Sequence, residues 1–193
     1  MFADAGQFLV RTACDLLAIA FFLRFWMQVA RVPFHHSFAQ FIVRVSDFAV
    51  RPLRRVLPGL LGLDWASLLP FLLAELLMVL VTHWLMGYPF GQAGSGVWPG
   101  FLLLALAAAL RLAVYVLMGL ILLQAVLSWI NPFSPLAPVF YAMSRPILRP
   151  FQRIVPTVSG IDLSPLAALI VMQLLLVAPV NALQRYAHAL AWG

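Results

Sequence analysis

Lysine is absent from this 193-residue chain: all twelve basic residues are arginine, only six residues are acidic, and the formal charge is +6. Charged side chains make up 9% of the sequence and hydrophobic ones 64%, where a soluble domain devotes roughly a quarter to charge. So little charge cannot cover a water-facing surface, which excludes an ordinary soluble domain and points to the bilayer. A single cysteine, Cys14, excludes an internal disulfide. Without C-x-x-C or C-x-x-C-H there is no motif for thiol exchange or c-type haem attachment. The arginines lie between apolar spans, not on a soluble surface with interleaved aromatics, so they read as membrane topology and not as nucleic-acid binding. The N-terminus has no basic leader and carries Arg11 and Asp15 inside its apolar run, which reads as an uncleaved membrane helix.

What is present is long apolar runs. A span takes about 20 apolar residues to cross roughly 30 Å of hydrocarbon, and four stretches qualify: residues 7–29, 65–86, within 101–130, and 164–183. The third is long enough that it must tilt, bend or begin outside the hydrocarbon. Arg31, Arg44, Arg51, Arg54 and Arg55 lie between the first two spans, and Arg145, Arg149 and Arg153 between the last two, whereas "GYPFGQAGSGVW" between them is uncharged. Short basic loops stay cytoplasmic. The expectation is therefore a bacterial inner-membrane protein with both Arg-rich loops inside, both termini periplasmic, and Trp84, Tyr88 and Trp98 at the outer interface.

The two loops are copies. "RPLRRVLPGLLGLD" from Arg51 and "RPFQRIVPTVSGID" from Arg149 stand 98 positions apart, and upstream Arg11 meets Arg111 and Arg24 meets Gln124 at an offset of 100. Each unit is a span, a basic loop and a second span, residues 1–90 and 100–193, which makes them parallel repeats related most simply by a pseudo-two-fold along the membrane normal. Within each loop an amphipathic helix is expected. Phe38, Phe41, Ile42, Val45, Phe48, Ala49, Leu53 and Val56 recur at steps of three and four opposite Gln40, Arg44, Asp47, Arg51, Arg54 and Arg55. Leu136, Val139, Phe140, Met143, Ile147, Phe151 and Ile154 repeat the pattern opposite Arg145, Arg149 and Arg153. Such helices suit the cytoplasmic interface, as lipid anchors or as a docking face for a protein partner or an anionic headgroup. Pro52, Pro146 and Pro150 should kink them or end them early.

Several polar residues have more than one reading. Asp64 and Asp162 precede the second and fourth spans, where they can cap a helix, pair with Arg55 and Arg153, or act as functional carboxylates; Ser164 before Pro165 is the likelier cap of the fourth. Glu75, in the middle of the second span, has Gln173 as its counterpart, and the pair can glue the bundle, line an ion or proton path, or hold a small ligand. Arg24 and Gln28 share a helix face, and Arg24 can reach the interface or Asp64. A haem would need two of His35, His36, His83 and His188 facing each other inside the bundle. No nucleophile–base pair or metal-ligand spacing is present, so no enzyme activity, metal or cofactor is expected.

Arg24 and Trp26, then Pro52, Arg54, Arg55 and Pro58, and in the second copy Pro150, Arg153, Pro156, Gly160, Asp162, Ser164 and Pro165, form an R-x-W and a P-x-R-R-x-x-P segment leading into I-D-x-S-P. This pattern resembles the YggT/YlmG family of small bacterial and chloroplast membrane proteins over nearly the whole chain. The second copy departs at Gln152, where a second Arg is common, and the first has "DWAS" in place of D-x-S-P. The resemblance implies a non-enzymatic membrane scaffold or assembly factor for other membrane proteins or for envelope and division machinery. It also implies two alternatives, a part in osmotic and ion homeostasis as a channel or transporter component, and cytochrome b-type cofactor assembly. The expected fold is an all-α membrane protein of four transmembrane helices in two parallel-repeat halves, each with an in-plane amphipathic cytoplasmic helix. Its partners would be the bilayer with its anionic headgroups, and other membrane proteins or a second copy of the chain.

Overall fold

The computed structural model describes residues 2–57, 64–90, 94–131, 133–155 and 162–192, and among them every regular element is helical. The helices are α1 (Phe2–Val29), α2 (Ser37–Val56), α3 (Trp65–Leu85), α4 (Trp98–Ile130), α5 (Ala137–Ile154), α6 (Ser164–Leu175) and α7 (Asn181–Trp192). A five-residue π-helical segment, Leu176–Val180, joins α6 to α7 around Pro179, whose missing N–H widens the turn without stopping the helix. Pro58, Pro156 and Gly160 lie outside the described residues.

Among the described residues three helices are long and apolar enough to cross a membrane: α3, α4 and the continuous Ser164–Trp192 unit. The sequence led us to expect four. α1, at 28 residues, has the length but carries Arg11, Asp15 and Arg24, and its C-terminal half is built into two of the hydrophobic clusters. Ala18, Phe21 and Phe22 pack with Phe71 of α3 and Ala109 of α4, and Leu23 and Met27 pack with Leu120 of α4 and Val139, Phe140 and Met143 of α5.

A 3-10 turn at Ser95–Val97 and Pro99 in the first turn start α4 at Trp98. It then runs 33 residues without a break, about 50 Å at 1.5 Å per residue, and contributes to all four hydrophobic clusters. The two halves share an element order, but their packing departs from a strict two-fold. α3 lies on both α1 and α4, whereas α6 and α7 pack chiefly on α4 and α5.

α2 buries Ala39, Ile42, Ser46 and Val50, and α5 buries Val139, Phe140, Met143, Ser144 and Leu148. Part of the expected apolar face of α2 stays open: Phe41, Phe48 and Val56 are 61%, 66% and 76% exposed. Of the two expected effects of the prolines, a kink or an early end, the early end does not occur. α2 continues past Pro52 to Val56, and α5 past Pro146 and Pro150 to Ile154. All three prolines are on exposed sides, where the carbonyl deprived of its N–H donor can find another partner.

Candidate functional site

Two cavities occupy the two ends of the α1–α3 pair. The first begins with Arg24. Its helix position directs the guanidinium into the seam with α2, where it is 4% exposed. Its Nη1 donates to Asp47 Oδ1 at 2.8 Å, Ser46 Oγ at 3.0 Å and the Val43 carbonyl at 3.2 Å. The Ser46 hydroxyl in turn donates to the Ile42 carbonyl at 2.6 Å. A buried guanidinium is tolerated because a carboxylate and two oxygens meet it at once. The sequence left Arg24 to reach the interface or Asp64; the structure does neither, burying it against Asp47, which occupies the turn of α2 that faces Arg24.

Asp64 instead accepts from Arg54 Nη2 and from Ser67 Oγ, the latter at 2.8 Å. It stands at the N-cap position of α3, but its side chain makes no cap hydrogen bond; its main-chain carbonyl takes the Ser67 and Leu68 amides. Burial pushes the Asp64 carboxyl up, yet the hydrogen bonds from Arg54 and Ser67 and the Arg54 charge outweigh it and hold the carboxyl below the usual range. Gln152 Nε2 donates to Asp162 Oδ2 at 3.1 Å in the second half, the same tie at the same two repeat positions with a neutral donor. The pairs are therefore Arg54–Asp64 and Gln152–Asp162. Arg55 and Arg153, one residue further round each helix, are exposed and have no ion pair among the described residues. Ser164 is not the cap of α6 but its first residue; Asp162 Oδ1 accepts its amide at 2.8 Å, and Pro165 sits in the first turn as expected.

The cavity beside these groups measures about 720 Å³ and is lined by Arg24, Arg44, Arg54, Gln28, Gln40 and Asp64 over apolar patches from Phe34, Val43 and Leu57. Three guanidinium groups thus line one space, Arg54 paired with Asp64 and Arg24 with Asp47. Arg51 on α2, and Arg145 and Arg149 on α5, are exposed outside it, as are Pro52 and Pro150. Trp26 Nε1 donates to the Met143 carbonyl at 2.9 Å, so the tryptophan of the R-x-W pair ties α1 to the second half. Ser46 and Ser144, 98 residues apart and both fully buried, were not singled out in the sequence. A serine at the same place in both copies, inside an otherwise apolar stripe, is the signal that could have found them.

The second cavity, about 250 Å³, lies among α1, α3, α4 and α7 and holds Glu75 with Arg11, Asp15, Arg111, His83 and His188. Glu75 is 2% exposed. Arg111 donates to Asn181 Oδ1 at 2.8 Å and to Gln184 Oε1, while Arg11 and Asp15 stand 3.9 Å apart. His83 and His188 approach with ring centroids 6.2 Å apart, and His83 Nδ1 is 2.7 Å from the Val79 carbonyl. This volume is below the ~300 Å³ at which pockets begin to take drug-sized ligands, so it suits water and small ions. Among the described residues no group of three or more His, Cys, Asp or Glu is placed to hold a metal ion. Gln173, the repeat counterpart of Glu75, does not share the cavity; it is exposed on α6.

The chain is 34% identical over 173 residues to a Vibrio alginolyticus protein described as an uncharacterized protein in the proC 3' region, covering 88% of this chain and 90% of that one. It is 32% identical over 181 residues to a Pseudomonas aeruginosa protein, covering 93% and 90%. Over 188 residues it is 31% identical to the Escherichia coli K12 protein YggT, covering 96% and 95%. No solved structure matches the chain. The CCB3/YggT family profile matches residues 3–85 and 103–183, two segments that start 100 and end 98 positions apart, consistent with two repeats, and the chain belongs to that family.

Proposed function

We propose that the chain is a non-enzymatic integral membrane protein that organises or assembles other membrane proteins. In this reading α1 joins the three apolar helices as a fourth span, residues 1–90 and 100–193 are its two repeat units, and both termini are periplasmic in a bacterial inner membrane. α2 and α5 lie in the cytoplasmic interface, held by their exposed arginines at about 1 kcal/mol each near anionic lipid. The observation that carries the proposal is Gln173. It stands exposed in α6 among exposed Leu166, Ile170, Leu174 and Val177. An amide left facing hydrocarbon forfeits its hydrogen bonds, so such a residue favours a partner helix that supplies them. The test is purification in mild detergent at native expression: Gln173→Leu should shed copurifying membrane proteins or a second copy of the chain while keeping wild-type thermostability. Unchanged copurification would overturn the reading.

A second reading, a component of ion homeostasis, draws on the Glu75 cavity, where a buried carboxyl faces two arginines and two histidines. Reconstituted wild-type protein that conducts ions, with flux abolished in Glu75→Gln at unchanged stability, would favour it over the scaffold.

A further inference from the structure

The arginine cavity belongs to the first repeat alone. At the corresponding positions of the second, Gln124 replaces Arg24, Ser128 replaces Gln28, Ala142 replaces Arg44 and Gln152 replaces Arg54. Two smaller hollows stand there, one of about 270 Å³ lined by Gln124, Ser128, Ala137, Pro138 and Tyr141 and one of about 370 Å³ that reaches Asp162, and among the described residues neither is lined by a cation. Two copies of one scaffold have thus produced one arginine-lined cavity and, in the second half, hollows without a cation. The difference cannot come from the general requirement for positive charge on this side of the membrane, because Arg145, Arg149 and Arg153 supply that charge in the second half from outside these hollows.

We infer that the cavity of Arg24, Arg44 and Arg54 is a specific seat for the phosphate of an anionic glycerophospholipid headgroup. Arg24 and Arg54 are each committed through one nitrogen to a carboxylate, which fixes both guanidinium groups in place and leaves further N–H donors for the cavity. Arg44 lines the same space and has no ion pair among the described residues. A phosphodiester answers that charge: its oxygens accept charge-assisted bonds from fixed arginines, and Gln28 and Gln40 can meet the remaining polar atoms. The volume, about 720 Å³, falls in the range of pockets that enclose a drug-sized molecule and far exceeds what bare phosphate fills. Phe34, Val43 and Leu57 provide the apolar wall that a glycerol backbone needs. The inference rests on the proposed topology only in placing this end of the bundle at headgroup depth, and it requires no client protein.

The test uses native mass spectrometry of the delipidated full chain in detergent, titrated with phosphatidylglycerol or with phosphatidylcholine. Wild type should retain one phosphatidylglycerol at least tenfold more tightly than phosphatidylcholine. Arg44→Gln should lower phosphatidylglycerol affinity about tenfold, the scale of one charge-assisted bond; Gln28→Leu should weaken it less. Arg51→Gln removes the same charge from the same helix outside the cavity and should leave affinity unchanged. Both Arg44 and Arg51 are exposed, so neither variant is expected to disturb folding, and an unchanged melting temperature checks this. Equal losses in Arg44→Gln and Arg51→Gln would replace the seat with diffuse surface attraction. Displacement by millimolar inorganic phosphate would make it an anion site and not a lipid seat, and equal affinity for the two lipids would end the proposal. Lipid retention with no effect of Gln173→Leu on copurification would separate this seat from the scaffold reading.

Discussion

Gly100 offers a sharp test of how α4 meets α7. A Cβ added there would lie 2.5 Å from the Ala191 nitrogen, 2.7 Å from its Cα and 2.9 Å from its Cβ. Carbon contacts settle near 3.5–4.0 Å, so the helices must separate by about 1 Å. The obstacle is backbone, not a side chain that can swing away. Ala187 and Ala191 are both fully buried against Phe101 in this cluster. The displaced residue also accepts a hydrogen bond: Tyr88 Oη donates to the Ala191 carbonyl at 2.6 Å, a bond of about 1 kcal/mol. Overpacking of this kind costs about 1–3 kcal/mol, and exchanging Gly for Ala in a helix returns at most about 1 kcal/mol. Gly100→Ala should therefore destabilise by about 1–3 kcal/mol. Gly119, further along the same helix, would place its added Cβ in open space, so Gly119→Ala should stabilise by about 0.5–1 kcal/mol. Thermal unfolding in one detergent, followed by tryptophan fluorescence, should rank Gly119→Ala above wild type and wild type above Gly100→Ala. A Gly100→Ala protein as stable as wild type would refute the close approach of α4 and α7.

Three further outcomes follow from local geometry. Because the Asp64 carboxyl is held below its usual range, its contribution is complete above the unfolded value of about 3.9 and is lost as pH falls through the folded value; thermostability measured from pH 6 to pH 3 should drop below about pH 4, and Asp64→Asn should flatten that drop. Arg31 ends α1 with φ 54° while Arg31 N and Val32 N donate to the Gln28 and Met27 carbonyls, a cap that favours glycine, so Arg31→Gly should raise stability by about 1 kcal/mol in the same melting assay, and a loss would contradict the assigned backbone. Reporters fused after Met86 and at the C-terminus should read periplasmic and one within residues 51–55 cytoplasmic; a cytoplasmic C-terminus would sink the four-span proposal.

The sequence by itself determined the membrane character, the helical elements and the duplication. These depend on local quantities: charge content, apolar run length, the 3.6-residue period and a fixed offset between copies. The starts of α3 and α6 were legible because Asp64 and Asp162 precede apolar runs, and Pro165 suits a first turn. Which groups meet was decided only by tertiary structure. Arg24 takes Asp47 and not Asp64, Arg54 and not Arg55 holds Asp64, and Gln173 is exposed while Glu75 is enclosed. Each outcome depends on the rotation of one helix about its axis relative to its neighbour, and one residue of helix turns a side chain by about 100°. The sequence pattern fixes a buried stripe to within roughly that angle, which suffices to bury Ile42 or Met143 but not to choose between adjacent arginines. Gly100 against Ala191 shows the same limit at closer range: a glycine in a helix is silent until another backbone lies where its Cβ would have been.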